Sequence, residues 1–142
     1  MRIISVPVFK RSPNKLQAYT DVIKMATYTI QMCENDKVFP KKCRWNICSK
    51  IIDLCLECVV LTRKANKIHS TDIEQARLRV KLQYEVLLNF DVLYCLMDIA
   101  YQTYNIPSEK IATWSKIMVE TEKNYYAWRK SDIARFKKEF SN

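Results

Sequence analysis

The sequence predicts an all-α fold, an antiparallel up-down-up-down four-helix bundle. Four long segments carry apolar residues at alternating spacings of three and four, the pattern of amphipathic helices packed along one face. Each of the three junctions between them holds an asparagine, and two are followed by a proline. The chain also has no glycine, the residue that tight hairpin turns prefer. Its 142 residues make about one domain.

Residues 1–13 contain Pro7 and Pro13 and read as an extended N-terminal arm, with the bundle over 14–142. The first helix is expected over 14–34. Leu16, Tyr19, Ile23, Ala26, Ile30 and Cys33 form its seam. The second is expected over 40–65, with Cys48, Ile51, Cys55, Cys58, Thr62 and Ala65 in the same rhythm. Ile47, Leu54 and Leu61 add a second apolar row, so this helix is expected to be central or to bury a second interface. The third is expected over 71–104, roughly 50 Å long at 1.5 Å per residue. One of its rows is Leu88, Val92, Cys95 and Ile99; a neighbouring row is Tyr84, Leu87, Asp91, Tyr94, Asp98 and Tyr101. The fourth is expected over 107–140, with Ile111, Trp114, Met118, Tyr125 and Trp128 on one face and Phe136 and Phe140 extending it.

The junctions follow from turn chemistry. Asn35, Asn66 and Asn105 are expected in the left-handed conformation that ends a helix, where asparagine substitutes for glycine. Pro40 and Pro107 sit where helices start and a missing N–H costs little. Ser70, Thr71 and Asp72 offer caps for the third helix.

Composition excludes several function classes. A chain without glycine has no phosphate-cradling loop, no dinucleotide fingerprint and no nucleophile elbow. His69 is the sole histidine, too few for the zinc and di-iron sites that need paired histidines. It sits in a turn and reads as a surface residue. No partner for a Ser–His or Cys–His pair is legible, and no catalytic, cofactor or metal residue is assigned. The apolar run from Ile3 to Phe9 is broken by Pro7 and is too short to span a bilayer. A cytoplasmic protein with its six cysteines reduced is expected. Cys55 and Cys58 form a Cys-x-x-Cys, but both fall on a helix seam and read as small core hydrophobes. Asp91 and Asp98 share a helix face, and pairing with cations of a neighbouring helix or subunit explains them better than acid–base chemistry.

Charge is the positive signal. There are 24 Lys and Arg against 15 Asp and Glu, a net charge of +9. Lys41, Lys42 and Arg44 open the second helix, and Arg63, Lys64 and Lys67 close it. Arg77, Arg79 and Lys81 follow early in the third; Arg129, Lys130 and Arg135, with Lys137 and Lys138, end the fourth. In an up-down bundle, the end of helix two, the start of helix three and the end of helix four meet at one end. The sequence therefore predicts a basic cap that neutralises nucleic-acid phosphates. Tyr126, beside Arg129, is the better candidate for stacking a base; Trp128 lies on the core spacing.

Several short motifs carry a family resemblance over roughly residues 14–131. Phe39-Pro40-Lys41-Lys42 resembles the second-helix start in a four-helix-bundle family. That family includes the rRNA intervening-sequence proteins and the accessory variability determinant proteins of diversity-generating retroelements. Arg63-Lys64-Ala65-Asn66-Lys67 resembles the link between helices two and three in the latter branch. Cys95-Leu96-Met97-Asp98-Ile99-Ala100-Tyr101 is similar to its helix-three end, and Trp114-Ser115-Lys116 with Trp128-Arg129-Lys130-Ser131 to its helix four. The chain reads Leu61-Thr62-Arg63-Lys64-Ala65-Asn66 where the intervening-sequence branch has Asn-Ile-Ala-Glu-Gly, which sets it apart from that branch. Tyr94 and Asp98 stand where relatives often carry arginine. The resemblance implies a homopentamer that binds a reverse transcriptase and its template RNA, and leaves open whether DNA is bound as well. It would support mutagenic cDNA synthesis and retrohoming without being an enzyme. The alternative is a protein–protein adaptor of the same bundle family, with no specific nucleic-acid role.

Overall fold

The computed structural model describes residues 13–141, with side chains from Gln17 onward. Four helices account for nearly all of it: α1 is Pro13–Glu34, α2 is Ile47–Lys67, α3 is Ile73–Tyr104 and α4 is Ser108–Phe140. No strand occurs among the described residues. Helix α1 packs on α2 and α4, and α3 packs on the same two. All four helices contribute to one core, as expected of a four-helix bundle. The arm expected over residues 1–13 lies outside the described residues except for Pro13, which is the first residue of α1.

The core is built around large side chains with no solvent exposure, among them Trp114, Tyr125, Phe90, Met25, Ile51 and Leu93. Each such burial stabilises by roughly 1.5–3 kcal/mol for an aliphatic or phenyl group. Their polar atoms are paired across helices. Trp114 Nε1 donates to Thr29 Oγ1 at 3.0 Å, and Thr29 gives its own proton to the Met25 carbonyl at 2.8 Å. Thr62 Oγ1 donates to the Cys58 carbonyl at 2.7 Å, so the Tyr125 hydroxyl donates to Thr62 at 2.9 Å.

The α2 seam is found as expected: Cys48, Ile51, Cys55, Cys58, Thr62 and Ala65 are all buried. The α1 seam is rotated. Ala26 and Cys33 are buried as expected, but Val22, Met25, Thr29 and Met32 complete the buried face, while Tyr19, Ile23 and Ile30 are half-buried. Leu16 lies outside the described side chains. In α3 the row Leu88, Val92, Cys95 and Ile99 faces solvent, and Val86, Phe90, Leu93, Met97 and Ala100 form the core face instead. The α4 face holds, with Trp114, Met118, Tyr125 and Phe136 buried.

Helix α2 starts later than expected. Pro40 begins a single 3₁₀ turn, Lys41–Cys43, and α2 opens at Ile47, whose N–H is taken by the Asn46 side chain. The link is held by burial: Val38, Phe39 and Cys43 are in the core, and Phe39 meets Trp114 edge-on with ring centroids 6.1 Å apart.

Of the three asparagines, Asn105 is left-handed, with φ 52° and ψ 47°, and ends α3. It is the only non-glycine residue with positive φ among the described residues. Asn35 turns the chain differently, its side chain accepting from the Lys37 N–H at 2.9 Å and its carbonyl from Val38 and Phe39. Asn66 stays helical because α2 continues to Lys67 and is capped by extended Ile68. Asp72 caps α3, accepting from the Gln75 N–H at 2.9 Å.

Candidate nucleic-acid interface

Arg77, Arg79 and Lys81 alternate along the first turns of α3. Helical geometry puts Arg77 and Lys81 one turn apart on a shared face and swings Arg79 away from them. The structure follows that division. Arg77 and Lys81 are exposed, whereas the Arg79 side chain keeps only 12% of its surface in water.

Arg79 is committed to internal partners. Its Nε donates to Asp132 Oδ2 at 2.7 Å and its Nη1 to the Ala65 carbonyl at 3.1 Å. Ala65 lies in the last turn of α2, where a cation is favoured by the helix dipole, and its carbonyl also accepts from the Ile68 N–H at 3.2 Å. The guanidinium lies over the Trp128 ring, 5.1 Å from its centroid. Asp132 also accepts from Gln83 Nε2 at 2.7 Å and from Arg135 Nη2 at 3.2 Å. One carboxylate thus engages two of the cations expected to meet phosphate.

Beside this knot, α3 and α4 enclose an open groove of about 530 Å³. Its floor is apolar: Ile73, Ala76 and Val80 recur on α3, and Ile133, Phe136 and Phe140 on α4. Its rims carry Arg77 and Lys81 from one helix and Arg129 and Lys137 from the other, and no carboxylate side chain lines it among the described residues. Arg129 ties the walls together. Its Nε donates to the Val80 carbonyl at 3.1 Å, and its guanidinium sits 5.1 Å from the centroid of Tyr84.

The other basic residues divide. Lys130 is exposed and lines an adjoining shallow surface with Tyr126. Arg63 is half-buried and lies over the Tyr19 ring at 5.5 Å, while Lys64 and Lys67 are exposed at the end of α2. Lys41, Lys42 and Arg44 do not line the groove; they lie around the 3₁₀ turn, where Asp36 pairs with Arg44 at 2.7 Å and with Lys41 at 3.9 Å. Next to them Trp45 is 92% exposed. Sequence reasoning missed Trp45. Its signal was an aromatic residue inside a basic run at a position that no helical period claims.

The cysteines are placed for packing. Burial pushes the Cys55 and Cys58 thiols up to about 12 and raises Cys33 and Cys48 as well. Cys95 is exposed. No group of three or more His, Cys, Asp or Glu side chains suited to a metal ion occurs among the described residues. His69 is exposed in the α2–α3 link, and Asp91 and Asp98 are exposed on α3. No described helix is long and apolar enough to cross a membrane.

Neither protein-family models nor curated proteins match this chain.

Proposed function

We propose that this protein is a non-catalytic accessory subunit that binds nucleic acid, with template RNA and a reverse transcriptase as its partners in a diversity-generating retroelement. The observation that carries the nucleic-acid half is the groove at the start of α3 and end of α4, rimmed by cations from both helices with no carboxylate side chain among its described lining residues. Such a rim exchanges condensed counterions for its own charges and gains affinity from their release. The retroelement half rests on the ordered motif resemblance of residues 14–131.

The bundle is read as antiparallel, up-down-up-down. Opposed pairings support this: Asp21 with Asn124 and Thr29 with Trp114 for α1 and α4, Arg79 with Asp132 and Tyr94 with Glu122 for α3 and α4. In that arrangement the ends of α2 and α4 and the start of α3 share one end of the molecule, which gathers Lys64, Lys67, Arg77, Lys81, Lys130 and Lys137 there. The protein works in the cytoplasm in this reading, as a homo-oligomer that the resemblance makes a pentamer.

A second reading, a pure protein–protein adaptor, is favoured by a different observation. Leu88, Val92 and Ile99 are each 45–49% exposed in one row along α3, an apolar face suited to another protein surface. RNA binding by the purified protein between about 50 and 200 mM salt separates the two. A steep fall of affinity with salt supports the nucleic-acid reading. Weak binding throughout leaves the adaptor.

A further inference from the structure

We propose that the α3–α4 groove is a single-strand site that seats an unpaired base on its apolar floor, with flanking phosphates held by Arg77 and Lys81 on one wall and Lys137 on the other. This rests on the nucleic-acid reading above and names the form of nucleic acid that the site takes.

Packed helices lie about 8–10 Å apart between axes. A double helix laid on that surface touches the cationic rims and leaves the floor wet, because its flat base faces are stacked inside and only sugar, phosphate and polar base edges face outward. A single strand can turn a base downward. Val80, Ile133 and Phe136 then meet a flat, weakly polar face, and apolar surface is covered on both sides.

The groove also holds a stacking partner. Tyr84 is 49% exposed at the groove wall, with the Arg129 guanidinium over its ring at 5.1 Å. The bond from Arg129 Nε to the Val80 carbonyl fixes that guanidinium in place. Aromatic rings and guanidinium planes are the surfaces on which unpaired bases stack, and every base offers such a face. The site is accordingly tolerant of sequence and selective for strandedness.

Charge argues for this occupant over others from the chain itself. Residues 1–12 carry Arg2, Lys10 and Arg11 and no acid, so they are repelled by the rim. The same groove on a second copy presents the same cations.

The test uses the full chain and a labelled uridine strand of about 20 nucleotides at about 100 mM salt, read by fluorescence anisotropy. Duplex RNA of the same length and an abasic strand of the same charge serve as comparisons. The uridine strand is expected to bind at least about tenfold more tightly than either. Tyr84→Ala should erase most of that gap while circular dichroism stays unchanged, and Tyr84→Phe should keep it. Equal affinity for all three nucleic acids overturns the single-strand site and leaves the nucleic-acid reading standing. No binding of any of them overturns both. Binding of a helical Leu/Glu peptide in place of the uridine strand overturns the inference in favour of a protein occupant.

Discussion

Arg79 and Asp132 meet at 2.7 Å with only 12% and 8% of their side chains exposed, joining the first turns of α3 to the last turns of α4. Breaking such a pair leaves the surviving charge short of both water and a partner. Asp132→Ala is therefore expected to cost about 3–5 kcal/mol of folding stability, read from urea unfolding. Arg79→Gln is expected to lower the melting temperature as well, because the Ala65 carbonyl and the Asp132 carboxylate both lose a donor.

The exposed rim cations should behave in the opposite way. The double variant Arg77→Gln with Lys81→Gln removes charge from side chains in solvent and should leave helicity and melting temperature unchanged. RNA affinity should fall, and the slope of log affinity against log salt should flatten by about 0.7 for each single-strand phosphate no longer neutralised. Unchanged affinity would remove these residues from the interface.

Thiol chemistry gives a third outcome. Cys95 is exposed while the other five cysteines are buried, so iodoacetamide should modify Cys95 first in the native protein and the rest only on unfolding. The buried thiols also set an alkaline limit. Cys55 and Cys58 are pushed by burial from an ordinary value of 9.0 to about 12. The unfolded chain loses these protons first, so their contribution is complete below about pH 9 and declines as pH rises toward 12. Urea midpoints measured across that range should fall, and Cys58→Ala should shrink the pH-dependent part of the fall.

Self-association is tested on the outer face of α3. Val92 sits amid Leu88, Cys95 and Ile99, all solvent-facing. If this row joins copies of the chain, Val92→Glu should convert an oligomer to monomers in sedimentation velocity without altering the helical signal. An unchanged sedimentation coefficient would assign the row to something other than self-assembly.

How far the fold was legible in the sequence depended on competition between faces. Helix α2 carries two apolar rows; the six residues of its seam are all buried, and in the second row Leu61 is buried while Ile47 and Leu54 are half-buried. Helix α3 is apolar on more than one side, and neither row read from its spacing is the core face: Leu88, Val92, Cys95 and Ile99 face solvent, only Leu87 of the neighbouring row is buried, and Val86, Phe90, Leu93, Met97 and Ala100 pack inward. Which row packs is settled by the neighbours in α2 and α4, which no local period encodes. The start of α2 was missed because Phe39 and Cys43 are held by the core and not by helical spacing. The candidate site was half legible. The basic residues are plain in the sequence, but the division between Arg79 and its neighbours Arg77 and Lys81 depends on Asp132, which lies 53 positions away from Arg79.

The three tryptophans occupy three different environments. Trp45 is 92% exposed beside the 3₁₀ turn, Trp114 is fully buried against Thr29, and Trp128 is half-buried under Arg79 near the groove. The protein therefore carries its own optical probes. Acrylamide should quench the red-edge emission of Trp45 first and reach Trp114 only after unfolding. A ligand arriving at the groove should perturb Trp128 alone. Single Trp→Phe replacements would let one cuvette report which part of the molecule a ligand has engaged, with no dye attached.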